Sequence, residues 1–227
     1  MDMDAKSQFD QALTVAAEAL EVQLADEKRA LLYRHFEALM VANAQFNLTR
    51  ITDPAEAAVK LYADSLAPLA WLRDAGAKVA HVLDVGTGAG FPAVPLAVVM
   101  PAWKVTALDS TGKKARYVAE SAAQLGLTNV RALHERAGQW PSPQRFHAVL
   151  FKAVGTLQKC LESIRGLVAH DGYAIVFKGR GLSRAELDAG QRQAESQGMQ
   201  TWDTADYTLP LGAETLEHSL IVYRRMA

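Results

Sequence analysis

Three glycines and one acid stand close together in the segment HVLDVGTGAGFPAVPLAVV, which begins at His81. Glycine lets the backbone turn tightly and lets a ligand approach without a Cβ in the way. Gly86, Gly88 and Gly90 therefore predict a loop that holds a ligand against the main chain. A glycine loop by itself is a weak signal, because dinucleotide-binding proteins use a similar one.

The acid that precedes the glycines separates two classes of ligand. Asp84 places a carboxylate where a dinucleotide-binding fold would bring a pyrophosphate, and the two negative charges would repel each other. The same carboxylate suits a ligand that carries an ammonium and a sulfonium, as S-adenosylmethionine does. The alternative for Asp84 is a buried structural acid that accepts hydrogen bonds from N–H groups of the loop.

A second acid, Asp109, ends the segment KVTALDS. In a nucleotide-binding sheet, an acid at this position can accept hydrogen bonds from both ribose hydroxyls of an adenosine. The alternative is a solvated acid that caps the following helix. The spacing between Asp109 and the glycines favours the ribose role.

These acids must be positioned by regular elements, and the apolar pattern predicts which. Apolar residues recur at helical spacing over residues 6–45, which indicates two amphipathic helices, and further helix follows through residue 72. Short apolar runs then predict strands, separated by helical patterns, and a closing strand in HSLIVYRR. Alternating strands and helices indicate a parallel sheet with helices on both faces. The predicted strands are residues 79–85, 105–108, 130–133, 148–151 and 173–177.

Composition limits the classes of protein to which the chain can belong. The chain has 227 residues, of which 50% are hydrophobic and 22% charged, as in an ordinary globular protein with a sizeable core. The formal net charge is −1, so a polyanion would have to meet a local basic patch. The single cysteine, Cys160, excludes an internal disulfide and lies among apolar residues at helical spacing, so we expect it in the core. No apolar run approaches membrane-spanning length and the start, MDMDAKSQFD, is acidic, so we expect a cytoplasmic protein.

Several segments together resemble the RsmG (GidB) family over nearly the whole chain. They are NLTRITDP, DSLAPL, LDVGTGAGFPAVPLA, VTALDSTGKKARYV, FKAV and VFKG. Members of that family are bacterial methyltransferases that use S-adenosylmethionine to methylate N7 of a guanine in the decoding-centre loop of 16S rRNA. The resemblance implies an α/β class I methyltransferase fold, Rossmann-like, with a seven-stranded, mostly parallel sheet and an antiparallel last strand. It also implies a helical cap at residues 1–75 before the methyltransferase domain at residues 76–227.

Further cofactor contacts are implied by the resemblance, in the glycine loop and after the third and fourth strands. With the two acids, the predicted cofactor-binding residues are Asp84, Gly86, Gly88, Gly90, Phe91, Asp109, Ala137, Gly138 and Lys152. Lys152 is also the one candidate catalytic residue, because its ammonium could donate to guanine O6, hold the cofactor carboxylate or form a structural ion pair.

Five positions depart from the family pattern. Lys60 and Leu61 stand where the family has an arginine and a histidine, and Ala93 stands where it has glycine. Lys152 and His218 both replace arginine. Lysine offers a point charge and not a planar fork of donors, so these changes bear on the substrate more than on the reaction.

The expected chemistry needs few catalytic groups. Guanine N7 is an unprotonated acceptor on the major-groove edge of the base, so its methylation needs no general base. Alignment of N7 with the methyl group supplies most of what is required. The six histidines are scattered without metal-ligand spacing, so we expect no metal.

Contact with RNA is predicted from local charge. Two groups of cations are candidates, one at the start of the helix after Asp109 and one after the fifth strand. Cations at strand ends can meet phosphates and give salt-dependent binding, whereas the alternative is a solvated helix face. The first group is Lys113, Lys114 and Arg116, and the second is Lys178, Arg180 and Arg184.

The segment that joins the helical cap to the sheet carries Asn47, Asp64 and Ser65. Asn47 caps a turn through its own backbone, or the segment closes over the cofactor and guides a guanine out of its loop. Three functions remain open: a 16S rRNA methyltransferase, which we expect to be monomeric, a methyltransferase of the same fold with another RNA or a small molecule as substrate, and a module that only senses S-adenosylmethionine.

Overall fold

The chain opens with two long helices, as the apolar spacing predicts. A computed structural model describes residues 4–141 and 144–226 and places helix α1 at Ala5–Glu18 and α2 at Asp26–Phe46. The Asp4 side chain caps α1 by accepting a hydrogen bond from the Ser7 N–H at 2.8 Å. Helix α2 ends where Asn47 adopts a left-handed conformation with φ of 50°, which asparagine tolerates better than most residues.

The helix predicted through residue 72 is a continuous segment of changing type. It begins as α3 at Pro54–Ala57, widens to one π-helical turn at Ala58–Ala63, tightens to a 3-10 turn at Asp64–Leu66 and ends as α4 at Ala67–Asp74. Single π-helical turns are rare and are found frequently at functional sites. Here the change of pitch carries Asp64 and Ser65 into the interior, where both are fully buried.

The structure has one sheet of seven strands, which is the number that the family resemblance implies. The strands are β1 His81–Val85, β2 Lys104–Asp109, β3 Val130–His134, β4 Phe146–Phe151, β5 Val168–Gly179, β6 Met199–Leu211 and β7 Glu214–Arg225. Their order in the sheet is β3-β2-β1-β4-β5-β7-β6. Strands β1 to β5 are parallel, and β7 is antiparallel to both β5 and β6. The expected mostly parallel sheet with a reversed last strand is confirmed.

Helices cover both faces of the sheet and create two cores. The first core joins α1, α2 and the segment from α3 to α4 to helices α5 (Ala93–Val99) and α6 (Gly112–Gln124). The second lies under α7 (Leu157–Ser163) and α8 (Arg184–Glu195) and contains Cys160, which is 1% exposed as predicted. The helical cap and the sheet share the first core, and the domain boundary at residue 75 stays a prediction.

The edge strand β6 has no sequence signal of its own. Most of its residues are exposed, so Met199–Leu211 lacks the apolar alternation from which a half-buried strand is recognised. The apolar pattern also misses the start of β5, which lies at Val168 and not at the predicted residue 173. It misses this start because His170 and Asp171 are polar and exposed. No helix in the described ranges has the length and apolar character needed to span a bilayer.

Candidate functional site

The two predicted acids lie on neighbouring parallel strands, at the carboxyl edge of the sheet. Asp84 on β1 is in register with Ala107, two residues before Asp109 at the end of β2. The N–H groups of Gly86 and Thr87 both donate to the Leu108 carbonyl, at 2.8 and 3.0 Å. The glycine loop is therefore attached to the end of β2 by its own backbone.

Each glycine of the loop has a positive φ, but they differ in what surrounds them. A Cβ on Gly86 would lie 2.9 Å from a methyl group of Val154, and one on Gly90 would lie 2.8 Å from a methyl group of Val94. A Cβ on Gly88 would meet no heavy atom closer than 3.9 Å. Gly86 and Gly90 thus allow close packing of the loop, whereas Gly88 has open space beside it, where a ligand can approach.

Asp109 ties the loop to helix α6. Its Oδ2 accepts a hydrogen bond from the Gly88 N–H at 3.0 Å, and its Oδ1 accepts one from the Thr111 N–H at 2.8 Å. The side chain is 6% exposed. An ionised carboxylate has about four acceptor sites, so two remain for a ligand hydroxyl. The proposed ribose contact is compatible with this geometry, and it stays a prediction.

Asp84 is completely buried beneath the loop. Its Oδ2 accepts a hydrogen bond from the Ala93 N–H at 3.2 Å, which is the contact expected of a structural acid. Its Oδ1 has no hydrogen-bond partner among the described residues. Burial raises the pKa of Asp84 to about 7, because a carboxylate removed from water favours its neutral form. This oxygen lies beneath the glycine loop and has no exposure to solvent.

The other predicted cofactor residues also lie in loops at the carboxyl ends of strands. Ala137 and Gly138 begin a 3-10 turn after β3, and Lys152 follows β4 directly. Phe91 belongs to the glycine loop, but its ring packs against Tyr62 and His35 at centroid distances of 5.0 and 5.5 Å. The Phe91 side chain therefore faces the helical cap, and only its backbone is left to contact a ligand.

Lys152 forms a buried ion pair. Its Nζ lies 3.0 Å from Asp64 Oδ2 and donates to the Lys60 carbonyl at 2.8 Å. Asp64 Oδ1 also accepts a hydrogen bond from the Tyr207 hydroxyl at 2.6 Å and lies 2.9 Å from His218 Nδ1. Of the three roles considered for Lys152, the structural ion pair is the one that these contacts show.

Electrostatics hold Asp64 in its ionised form. Burial by itself raises the pKa of Asp64, but the Lys152 charge, followed by His218 and Tyr207, outweighs that effect, and the net pKa lies below the ordinary value. Burial and the Asp64 charge raise the pKa of Tyr207 well above its usual range, so its hydroxyl keeps its proton. The carboxylate is the common acceptor of this cluster.

Two of the five departures from the family pattern meet at this cluster. The side chains of Lys152 and His218 both reach Asp64, whereas Lys60 contributes only its backbone carbonyl, and its side chain pairs with Glu56. Ala93 is the first residue of α5, where a helical backbone accommodates a Cβ, and Leu61 packs against the first core. Tyr207 was missed by sequence reasoning because it lies on β6, and no local pattern marks it.

The two groups of cations proposed for RNA differ in their surroundings. Lys113 and Arg116 are exposed on α6, and Lys114 is half-buried. In the second group each cation is paired with an acid: Lys178 with Glu186 at 2.7 Å, Arg180 with Glu217 at 3.3 Å and Arg184 with Asp188 at 3.0 Å. Lys178 also donates to the Gly155 carbonyl at 2.8 Å, so its charge is already committed within the fold.

The turn after α2 is capped by the backbone of Asn47, whose N–H donates to the Asn43 carbonyl at 3.1 Å, and it is also held by the Asn43 side chain. The Asn43 side chain accepts a hydrogen bond from the Thr49 N–H at 2.8 Å, whereas Asn47 is exposed. Across residues 4–141 and 144–226, no cluster of three or more His, Cys, Asp or Glu side chains is arranged to hold a metal ion.

Comparison with known proteins agrees with this geometry. The family model described as rRNA small subunit methyltransferase G matches residues 28–208. Two proteins named ribosomal RNA small subunit methyltransferase G are similar to this chain. The one from Solibacter usitatus is 40% identical over 81% of this chain and 86% of its own length. The one from Microcystis aeruginosa is 33% identical over 92% of this chain and 95% of its own length.

Solved structures share the fold at low sequence identity. A SAM-dependent methyltransferase from Aquifex aeolicus aligns with a TM-score of 0.56 and 21% identity, over 79% of this chain and 97% of that chain. The N-methyltransferase NodS from Bradyrhizobium japonicum aligns with a TM-score of 0.52 and 11% identity, over 70% of this chain and 93% of that chain. At these identities, the structures show the fold alone.

Proposed function

Because the chain belongs to the rRNA small subunit methyltransferase G family, we propose that it methylates N7 of a guanine in the decoding-centre loop of 16S rRNA, with S-adenosylmethionine as the methyl donor. The observation that carries the proposal is the joint position of Asp84, the glycine loop and Asp109 at one edge of the sheet in a chain that matches this family over most of its length. A substrate in the ribosome implies action in the cytoplasm. We further propose that the protein acts as a monomer and needs no metal.

The residues at this edge fit S-adenosylmethionine. Beneath the loop, the buried Asp84 Oδ1 lacks a partner among the described residues, and a positively charged ligand can supply one. Beside the loop, the space next to Gly88 admits a ligand against the backbone. The cofactor, when bound, supplies a methyl group activated by its attachment to a sulfonium.

The chain's own residues bind the cofactor and orient it. Asp109 offers its remaining acceptor sites to ribose hydroxyls, while its bonds to Gly88 and Thr111 keep the loop and α6 in place. The backbone of Phe91 and the turn at Ala137 and Gly138 border the same edge. These groups align the reacting atoms, and alignment is the main requirement for attack by an unprotonated nitrogen.

No residue has to remove a proton, because guanine N7 is already an acceptor. The polar groups next to the site agree with this requirement. Lys152 and Tyr207 both direct a hydrogen toward Asp64, so neither is arranged as a base, and His218 is held by the same carboxylate through its Nδ1. We assign Lys152 as a positioning residue that connects the end of β4 to the helical cap through Asp64.

Transfer of a labelled methyl group tests the function. The substrate is small ribosomal subunits from a strain that lacks N7 methylation of 16S rRNA, and the labelled base is mapped afterwards. Asp109→Ala should weaken cofactor binding by about one to two orders of magnitude, because each charged hydrogen bond contributes roughly 1.5–3 kcal/mol. Asp74→Ala is the matched control, since Asp74 is exposed at the end of α4 and pairs only with Arg73 among the described residues.

A single labelled guanine in the decoding-centre loop, lost in Asp109→Ala and kept in Asp74→Ala, is the expected result. Measurable cofactor binding without transfer to the subunit would overturn the proposed substrate. Transfer to a different RNA, or to a small molecule, would favour the alternative methyltransferase activity.

A further inference from the structure

A groove of about 570 Å³ runs between helices α2 and α6. On one side it is lined by the apolar side chains of Ala38, Val41, Ala42 and Phe46 from α2. On the other side it is lined by α6, which contributes Lys113, Arg116 and Tyr117 among others. The proposed cofactor site does not use this groove.

The two helices run antiparallel along the groove. Arg34, in the first half of α2, donates to the Gln124 carbonyl at the end of α6. The His35 ring packs against the Tyr117 ring, with 6.4 Å between the ring centroids. The end of α2, with Phe46, therefore lies toward the start of α6, with Lys113. Because α6 begins three residues after Asp109, this end of the groove opens at the carboxyl edge of the sheet.

The apolar wall is unusually exposed. Val41 is 69% exposed and Phe46 is 44% exposed. The Phe46 ring has no aromatic or cationic partner within the described ranges, whereas the equally exposed Trp202 is covered by the Arg224 guanidinium at 4.6 Å. An aromatic ring left uncovered beside a functional edge is typical of a binding surface.

The opposite wall is cationic and the floor is polar. Lys113 and Arg116 are exposed and have no acidic partner among residues 4–141 and 144–226. Glu120 is the one acid on the described lining, a turn further along α6. The hydroxyls of Tyr117 and Ser121, one turn apart on α6, are buried next to each other at the base of the groove.

We propose that this groove holds a single-stranded segment of the substrate RNA beside the target guanine. One base of the segment stacks on Phe46, and the phosphates of the segment lie at Lys113 and Arg116. The inference rests on the proposed function and adds the place where the substrate lies. A loop base can be presented for attack only if its neighbours are held in an unstacked form. Aromatic platforms next to cations are how proteins hold such strands.

The charge of the groove favours RNA over a second copy of the chain. A self-complementary apolar interface would gather apolar side chains on both walls, but here one wall carries two exposed cations. The net charge of the chain is −1, so these cations stand out as a local feature. Single-stranded RNA matches both walls, because its bases have flat apolar faces and its phosphates are negatively charged.

Variants of Phe46 separate stacking from general apolar packing. Phe46→Ala and Phe46→Leu should each weaken the Kd for unmethylated small subunits by about 10-fold, and Phe46→Trp should bind like the wild type, because only an aromatic ring stacks on a base. Val15→Ala is the matched control, since Val15 is 45% exposed on α1, outside the groove lining. Thermal unfolding and S-adenosylmethionine affinity should be unchanged in all four variants.

Charge variants give an independent measurement. The double variant Lys113→Gln, Arg116→Gln should lower the slope of log Kd against log salt concentration by about 1.4, since each phosphate contact to a single strand contributes about 0.7. The control double variant Lys159→Gln, Arg192→Gln removes two exposed cations from α7 and α8, which cover the other face of the sheet, and should keep the wild-type slope.

The outcomes distinguish the two proposals. If the wild type methylates the subunit but Phe46→Ala and the double variant bind it as tightly as the wild type, the groove proposal is overturned and the proposed function stands. If the wild type binds cofactor but neither binds nor methylates the subunit, both proposals are overturned. A dimer in sedimentation that dissociates in Phe46→Ala, with subunit binding unchanged, would assign the groove to a second copy instead.

Discussion

Replacing Asp64 with asparagine should lower the free energy of unfolding by about 3 kcal/mol, because it leaves a buried ammonium without its counter-charge. The Asp64 side chain is 1% exposed, and the Lys152 Nζ lies 3.0 Å from its Oδ2. Breaking such a pair from one side costs about 3–5 kcal/mol. The Lys152 side chain is 14% exposed and keeps some access to water, so we expect the lower end of that range.

Urea denaturation at pH 7, followed by circular dichroism, measures this loss. Glu56→Gln is the matched control, since Glu56 pairs with Lys60 at 2.6 Å but both side chains are about one-third exposed. An exposed pair contributes about 0–1 kcal/mol. The two substitutions make the same chemical change, so the difference between them reports burial.

The pH dependence has a definite sign. The pKa of Asp64 is lowered in the folded protein, so its ionised form adds stability above the unfolded pKa of about 3.9, and that stability is lost as pH falls through the lower folded value. The gap between wild type and Asp64→Asn should therefore be fully present at pH 7 and should shrink below about pH 4.

A second substitution tests whether the unpaired ammonium is the cause. Lys152→Met in the Asp64→Asn background should recover part of the lost stability, because no buried charge is then left alone. The reasoning is refuted if Asp64→Asn costs no more than Glu56→Gln, or if the double variant is less stable than the single one.

Two further predictions concern the glycine loop. Because burial raises the pKa of Asp84 to about 7, a cofactor that needs its ionised form should bind about fivefold more weakly at pH 6 than at pH 7 and about tenfold more weakly again at pH 5. Calorimetric titration should show this slope in the wild type and not in Asp84→Asn, and equal slopes in both proteins would contradict the assigned role. Gly90→Ala should lose about 2–5 kcal/mol of folding free energy, since its φ is +95° and a Cβ would lie 2.8 Å from a methyl group of Val94. Gly126→Ala, with a φ of +71° and no atom within 4 Å, should lose only about 1–2 kcal/mol, and equal losses in denaturation would rule out the steric part.

Much of the fold could be predicted from local patterns. The helices at the start, the five parallel strands and the closing strand are marked by apolar periodicity, and the structure confirms them. Strand β6 could not be predicted, because an exposed edge strand buries too few side chains to create a pattern. The position of Asp84 and Asp109 at one edge followed from the rule that parallel strands present their carboxyl ends together.

The roles of Lys152 and of the cations after β5 could not be settled in the same way. A lysine at the end of a strand can face a ligand or an acid from elsewhere in the chain, and its neighbours in sequence do not distinguish the two. In the structure the acid is Asp64, which lies 88 residues before Lys152 in the chain. Lys178, by contrast, pairs with Glu186 on the next helix, eight residues away.

The sequence by itself determined the class of fold, the glycine loop, the two acids and the family to which the chain belongs. These features are encoded by short segments whose spacing alone dictates a strand, a turn or a ligand-binding loop. Only the tertiary structure decided that His218 and Tyr207 meet at Asp64, and that Phe46 and Lys113 line the same groove. Such contacts join distant segments, and they arise from how the helical cap packs on the sheet, which no local pattern specifies.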